Sequence, residues 1–291
     1  MRKLAFWLLI IGGSVAYYAT GPREVAFDVL GGQNRDGIET GDPIAGAQVF
    51  AAAGCASCHN AESTEALAGG KGFVSDFGTF YAPNISTDAE HAIGAWTEDE
   101  LVNAIMAGVS PNGAHYYPAF PYTTYAKMAP QDVVDLITHL RTLPADATPS
   151  RDHDVGFPFN IRRSLGGWKI LFFRGDWVVA DAPTAELERG RYLVEALGHC
   201  AECHTPRNAL GGLKTGEWMR GAPNPSGEGR IPSIHPDDLG WSAQDIAIYL
   251  ESGFTPDFDT VGGEMVDVVD NMSQLSDEDR NAIAAYLVAL P

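Results

Sequence analysis

Two five-residue stretches constrain this chain more than anything else in it: CASCH at 55–59 and CAECH at 200–204. Together they use all four cysteines of the 291 residues. A Cys-x-x-Cys pair followed at once by histidine reads as a covalent haem attachment site. The two thiols add across the vinyl groups of a haem, and the two-residue gap spans the edge of the macrocycle. The adjacent histidine then lies under the iron as proximal ligand. Redox-active Cys-x-x-Cys pairs lack the obligatory histidine, and zinc sites need further ligands at suitable spacing. The pattern therefore assigns Cys55, Cys58, Cys200 and Cys203 to two covalently bound haem c groups, with His59 and His204 on the irons.

An internal repeat surrounds the motifs. APNISTD and then WTEDELVNAIMAG follow the first; IPSIHPD and then WSAQDIAIYLESG follow the second. From His59 to Trp96 is 37 residues, and from His204 to Trp241 is again 37. Each half closes on a helical segment ending in Leu-Pro, 85 residues after His59 and 87 after His204. The chain is thus two copies of one unit, each with one haem. DPIAGAQVFAAAG and AELERGRYLVEALG are apolar at helical spacing and lead into the motifs. Thr97 with Glu100, Ser242 with Asp245, and Ser276 with Asp279 look like capping boxes. Strand-like alternation is scarce, so the expectation is all-α, each unit a small helical wrap around its haem. The units are placed at 41–144 and 184–291, joined by a connector at 145–183. Connector residues Arg162, Arg163 and Arg174 read as packing between the units; the alternative is pairing with haem propionates or a partner. His139 falls where the repeat has Tyr286 and reads as a helix-packing position. Trp96 and Trp241 stand at helix starts or against haem edges.

The N-terminus places Arg2 and Lys3 before an uncharged run from Leu4 to Gly21. That is a membrane anchor or a secretory signal over residues 1–23, followed by a linker at 24–40. Tyr17 and Tyr18 spoil most cleavage frames, which favours an uncleaved N-terminal membrane helix. Either reading exports the haem units to the periplasm, because the positive charges stay inside. A net charge of −19 argues against nucleic acid and against anionic membrane surfaces as partners.

The haem motifs, GTFYAPNISTDAEHAIGAWTEDELVNAIMAGVSPNGAHYYPAFPYTTYAKM, FPFNIR, YLVEALGHCAECHTPRNALGG and the GGxM-containing tail resemble the cytochrome c subunits of membrane-bound bacterial alcohol and sugar-acid dehydrogenases. The similarity runs from about residue 40 to the end, and CHTPRN and YPAFPY are specific to that group. The resemblance implies two tandem class I cytochrome c domains and an electron carrier without catalytic residues. Those subunits usually carry three haems and a C-terminal membrane segment. With two haem units and an N-terminal hydrophobic segment, this chain resembles the shorter, two-haem relatives.

An electron-transfer haem needs a sixth ligand, and methionine raises its potential. Met106 lies on the apolar face of a helix, and Met219 is too near its motif. Met128 remains for the first haem, with His115 as the alternative. For the second, repeat spacing favours Met272, 68 residues after His204 as Met128 is 69 after His59. The resemblance implies Met265, the GGxM methionine.

These readings converge on a dihaem cytochrome c that relays electrons on the periplasmic side. Donors would be a dehydrogenase or a quinol-oxidising complex; acceptors would be an oxidase or a soluble cytochrome c. The acidic surface would steer basic partners. The competing class is a dihaem peroxidase, which needs an open iron position.

Overall fold

The computed structural model describes residues 2–23, 39–60, 66–225, 227 and 229–291. The N-terminal segment is helix α1 (Arg2–Ala19). The first unit contains α2 (Pro43–Ala52), α3 (Cys55–His59), strands β1 (Gly72–Ser75) and β2 (Gly78–Tyr81), α4 (Glu98–Val102), α5 (Tyr122–Tyr125) and α6 (Pro130–Leu140). The connector adds β3 (Asp154–Val155) and α7 (Ser164–Phe172). The second unit runs α8 (Ala185–Tyr192), α9 (Ala201–His204), β4 (Ala222–Pro223), β5 (Arg230–Ile231), α10 (Pro236–Leu239), α11 (Ala243–Ser252), α12 (Met265–Met272) and α13 (Asp277–Val288).

The helix starts obey local chemistry. Asp42 accepts from the Ile44 N–H at 2.8 Å, with Pro43 in the first turn where a missing N–H costs nothing. Thr97–Glu100 and Ser242–Asp245 form complete capping boxes on α4 and α11. Ser276 caps α13 by accepting from the Asp279 N–H at 3.1 Å, without the reciprocal bond. Helices α4 and α8 each run on into a single π turn, Asn103–Ala107 and Leu193–Leu197.

Each unit is framed by one helix crossing, α2 over α6 and α8 over α13. Gly46 and Gly190 make the crossings possible. A side chain on Gly46 would collide with the Asp135 carbonyl, and one on Gly190 with the Ala282 carbonyl. His139 and Tyr286 lie at these crossings, as the repeat implied: a Cβ on either glycine would come within 2.7 Å of theirs. His139 faces Phe50 at 5.2 Å between ring centroids. One continuous core serves both units, running from Val102, Val133 and Leu136 to Leu193, Leu197, Ala284 and Tyr286.

Two expectations need correction. The chain is mostly helical but not all-α. Strands β1 and β2 form an antiparallel hairpin, and β3 of the connector pairs antiparallel with β2, Thr79 opposite Asp154. Phe73, Val74, Thr79, Phe80 and Tyr81 are β-branched or aromatic residues suited to a pleated surface. A satellite cluster of Phe80, Tyr117 and Leu165 lies beneath this sheet. Secondly, among the described residues no helix is long and apolar enough to cross a membrane. Helix α1 has 18 residues, about 27 Å at 1.5 Å per residue, against a hydrocarbon core of about 30 Å. Arg2 and Lys3 fall inside it and shorten the uncharged stretch further. The expected linker lies outside the described residues except for Glu39 and Thr40.

The connector arginines are taken up by the protein itself. Arg162 donates to the His115 carbonyl at 3.0 Å and stacks over Tyr117 at 4.2 Å. Arg163 donates to the Tyr17 carbonyl at the end of α1 and stacks on that ring. Arg174 donates to the Leu171 carbonyl at 3.1 Å.

Candidate haem sites

Each motif is delivered by the end of the helix before it. Gly54 has φ +63° and turns α2 into α3; His199, φ +38°, does the same ahead of Cys200 and α9. None of the four cysteines is in a disulfide. Withdrawal from water pushes the Cys55 and Cys200 thiols up to about 12 and Cys58 up to about 11. A redox-active pair needs the opposite, an accessible thiol with a lowered pKa.

The two motif histidines are set identically. His59 Nδ1 lies 2.8 Å from the Pro83 carbonyl, and His204 Nδ1 lies 2.8 Å from the Pro232 carbonyl. A carbonyl only accepts, so Nδ1 carries the proton and Nε2 keeps its lone pair for a metal. Burial depresses both pKa values and holds the rings neutral, as ligation requires. Pro83 and Pro232 belong to the repeated segments APNISTD and IPSIHPD. The repeat was visible in the sequence; the proline carbonyl's role was not.

The methionines divide by location. Met128 is buried, just after α5. Met106 is buried in the π turn after α4. Met219 is wholly buried, and its N–H donates at 3.0 Å to the Oγ1 of Thr205, the residue after His204. Met265 opens α12 half-buried, and Met272 closes it in the core. Seven residues apart, they share one helix face at opposite ends, about 10 Å along the axis. One haem iron can take only one of them. His115, the alternative for the first haem, is buried, and its Nε2 donates to the Thr20 carbonyl at 3.0 Å.

The two sites adjoin. Ser57, inside CASCH, meets Asn271 of α12 at 2.5 Å. Glu202, inside CAECH, accepts from Thr123 of α5 at 3.4 Å. Lys71 Nζ reaches the Ser57 carbonyl at 3.1 Å, Glu264 at 2.8 Å and Asp267 at 3.0 Å, tying the first motif to the start of α12. Helical units that each present unbridged paired thiols and a carbonyl-oriented neutral histidine define a c-type cytochrome.

Comparison with known proteins agrees. The cytochrome c family matches residues 44–144, and the family described as cytochrome C oxidase, cbb3-type, subunit III matches residues 185–287. A dihaem cytochrome c-type protein of Cereibacter sphaeroides is 51% identical over 98% of this chain and 96% of its own length. The fructose dehydrogenase cytochrome subunit of Gluconobacter japonicus is 38% identical over 82% of this chain and 51% of its own length. The cytochrome c subunit of the alcohol dehydrogenase (quinone) of Gluconacetobacter polyoxogenes is 35% identical over 84% and 55%. The chain thus spans about half the length of these dehydrogenase subunits. The chain belongs to the dihaem c-type cytochromes: it carries two covalently bound haem c groups and functions as an electron carrier. The peroxidase alternative finds no support among these relatives.

Proposed function

We propose that this cytochrome takes electrons from a membrane-associated dehydrogenase or quinol-oxidising complex and passes them to an oxidase or another cytochrome on the periplasmic side. The observation that carries the reading is the pair of matched sites, each with a neutral histidine turned by a proline carbonyl. The dehydrogenase subunits among its relatives support the donor class. When bound, each haem supplies a metal centre that gains or loses one electron. Cys55 and Cys58 hold the first by thioether bonds, and Cys200 and Cys203 the second. His59 and His204 would ligate the two irons, and buried Met128 would be the second ligand of the first.

For the second site the reading keeps Met265. It is the GGxM methionine of the family resemblance and lies half-buried in the first turn of α12. The export assignment rests on Arg2 and Lys3 ahead of the uncharged run. Helix α1, not long and apolar enough to span, would hold the chain at the membrane surface through Trp7, Ile11 and Val15, which it exposes.

The net charge of −19 supports basic redox partners. Stopped-flow exchange with a basic soluble cytochrome tests the partner class. Rates should fall steeply as salt is raised. Rates flat across the salt range, or no reduction by a dehydrogenase-containing membrane fraction, would remove this reading.

A further inference from the structure

The residue that precedes the first cysteine is left-handed in both units, but it is glycine in one and histidine in the other. Gly54 adopts φ +63° without cost, whereas His199 at φ +38° holds a conformation that side chains disfavour. Strain of this kind persists where the surroundings over-determine it, and it clusters at functional sites. The surroundings here are the opposite haem motif. His199 Nε2 lies 3.2 Å from the carbonyl of Ala53, and Tyr125 Oη donates to the same carbonyl at 2.7 Å. Ala53 is two residues before Cys55 and almost wholly buried. The rings of His199 and Tyr125 stand 6.0 Å apart, edge to face.

The contacts across the junction are reciprocal. Ser57 of the first motif meets the α12 lid of the second unit, and Glu202 of the second motif meets the α5 lid of the first. The two attachment segments therefore sit back to back around Ala53 and His199. From Cys200 the covalent chain leads one residue to His199, across one hydrogen bond to Ala53, and through Gly54 to Cys55. Tunnelling rates fall steeply with distance and favour bonded routes, so this is the shortest connected route that the named contacts offer between the attachment sites.

We infer that His199 is a positioning residue that holds the two thioether edges together and sets the electronic coupling between the haems. The inference rests on the dihaem electron-transfer reading above. The step served is transfer of one electron: one iron is oxidised as the other is reduced, and no bond forms or breaks. His199→Gly places the first unit's own residue in the second and relieves the backbone, so the fold is kept while the bridge is removed.

The test uses the full holoprotein. Circular dichroism in the Soret band reports haem–haem exciton coupling, and flash photoreduction of one haem reports intramolecular transfer. Wild type should show a bisignate Soret couplet and fast internal exchange. His199→Gly should keep two haems per chain, lose most of the couplet and slow the exchange; Tyr125→Phe, which keeps the ring, should do so less. A wild-type spectrum without a couplet, or a His199→Gly protein matching wild type in both readouts, would overturn the inference while leaving the dihaem carrier intact. Fewer than two haems in wild type would instead overturn the functional reading and this inference with it.

Discussion

The first and second haem units share a frame down to the glycine at each helix crossing and the proline carbonyl behind each histidine. They part in the segments that carry the candidate ligand methionines. The first lid is the four-residue helix α5 followed by one buried methionine, Met128. The second is the eight-residue helix α12 with a methionine at either end. The first unit also carries the connector sheet and receives the end of α1 through His115 and the neighbouring Arg163. The lesson is that haem attachment and helix crossing are the repeated part of the unit, whereas the lid and the outer loops are free to diverge. That is where the two centres can acquire different potentials and different partners.

The comparison can be broken most forcefully at the motifs. Replacing Cys55 and Cys58 by alanine should leave one covalent haem per chain, and replacing Cys200 and Cys203 should do the same. Mass and a pyridine haemochrome spectrum count them. If either double variant retained two haems, the assignment of that motif would be wrong. Next come the lids. Met128→Leu and Met265→Leu should each convert one haem from low spin and lower its potential, since the methionine ligand raises it. Met272→Leu should leave both spectra unchanged. A low-spin second haem at unchanged potential in Met265→Leu would move the ligand to the other end of α12.

The crossings offer a smaller, symmetric effect. Gly46→Val and Gly190→Val drive a side chain into a backbone carbonyl. Each should cost about 3 kcal/mol in denaturant unfolding of the holoprotein, at the upper end of overpacking penalties. A large loss for one and none for the other would show that the frames are not equivalent.

The smallest expected effect is an acid sensitivity associated with the first unit. Burial holds His115 and His153 below their ordinary 6.5. The folded state therefore binds fewer protons than the unfolded one. Their contribution to stability is present above pH 6.5 and is lost as pH falls through the lowered values. Melting temperature should drop between neutral pH and about pH 5, and His153→Asn should flatten part of that drop. A melting temperature that stays level over that range would remove the effect.

Much of this organisation is legible in the primary structure, because its signals are local. CASCH and CAECH declare their chemistry within five residues, and Thr97–Glu100 and Ser242–Asp245 cap their helices as written. The equivalence of His139 and Tyr286 follows from the repeat alone. What escapes local reading is contact over long separations. Nothing near Ala53 announces that His199, 146 residues away, will reach its carbonyl. Nothing near Ser57 announces Asn271, 214 residues on. Strand β3 is two residues long and acquires its identity only by lying beside β2. Helix α1 was readable as apolar, but its margin against a bilayer depends on where two basic residues fall within a single helix.

The most direct measurement of the central claim is a spectropotentiometric titration of the purified holoprotein with the haem content determined on the same sample. The expected result is two haem c per chain, two electrons taken up reversibly, and both haems low spin with no response to peroxide. One haem per chain, or a high-spin haem that reacts with peroxide, would contradict it.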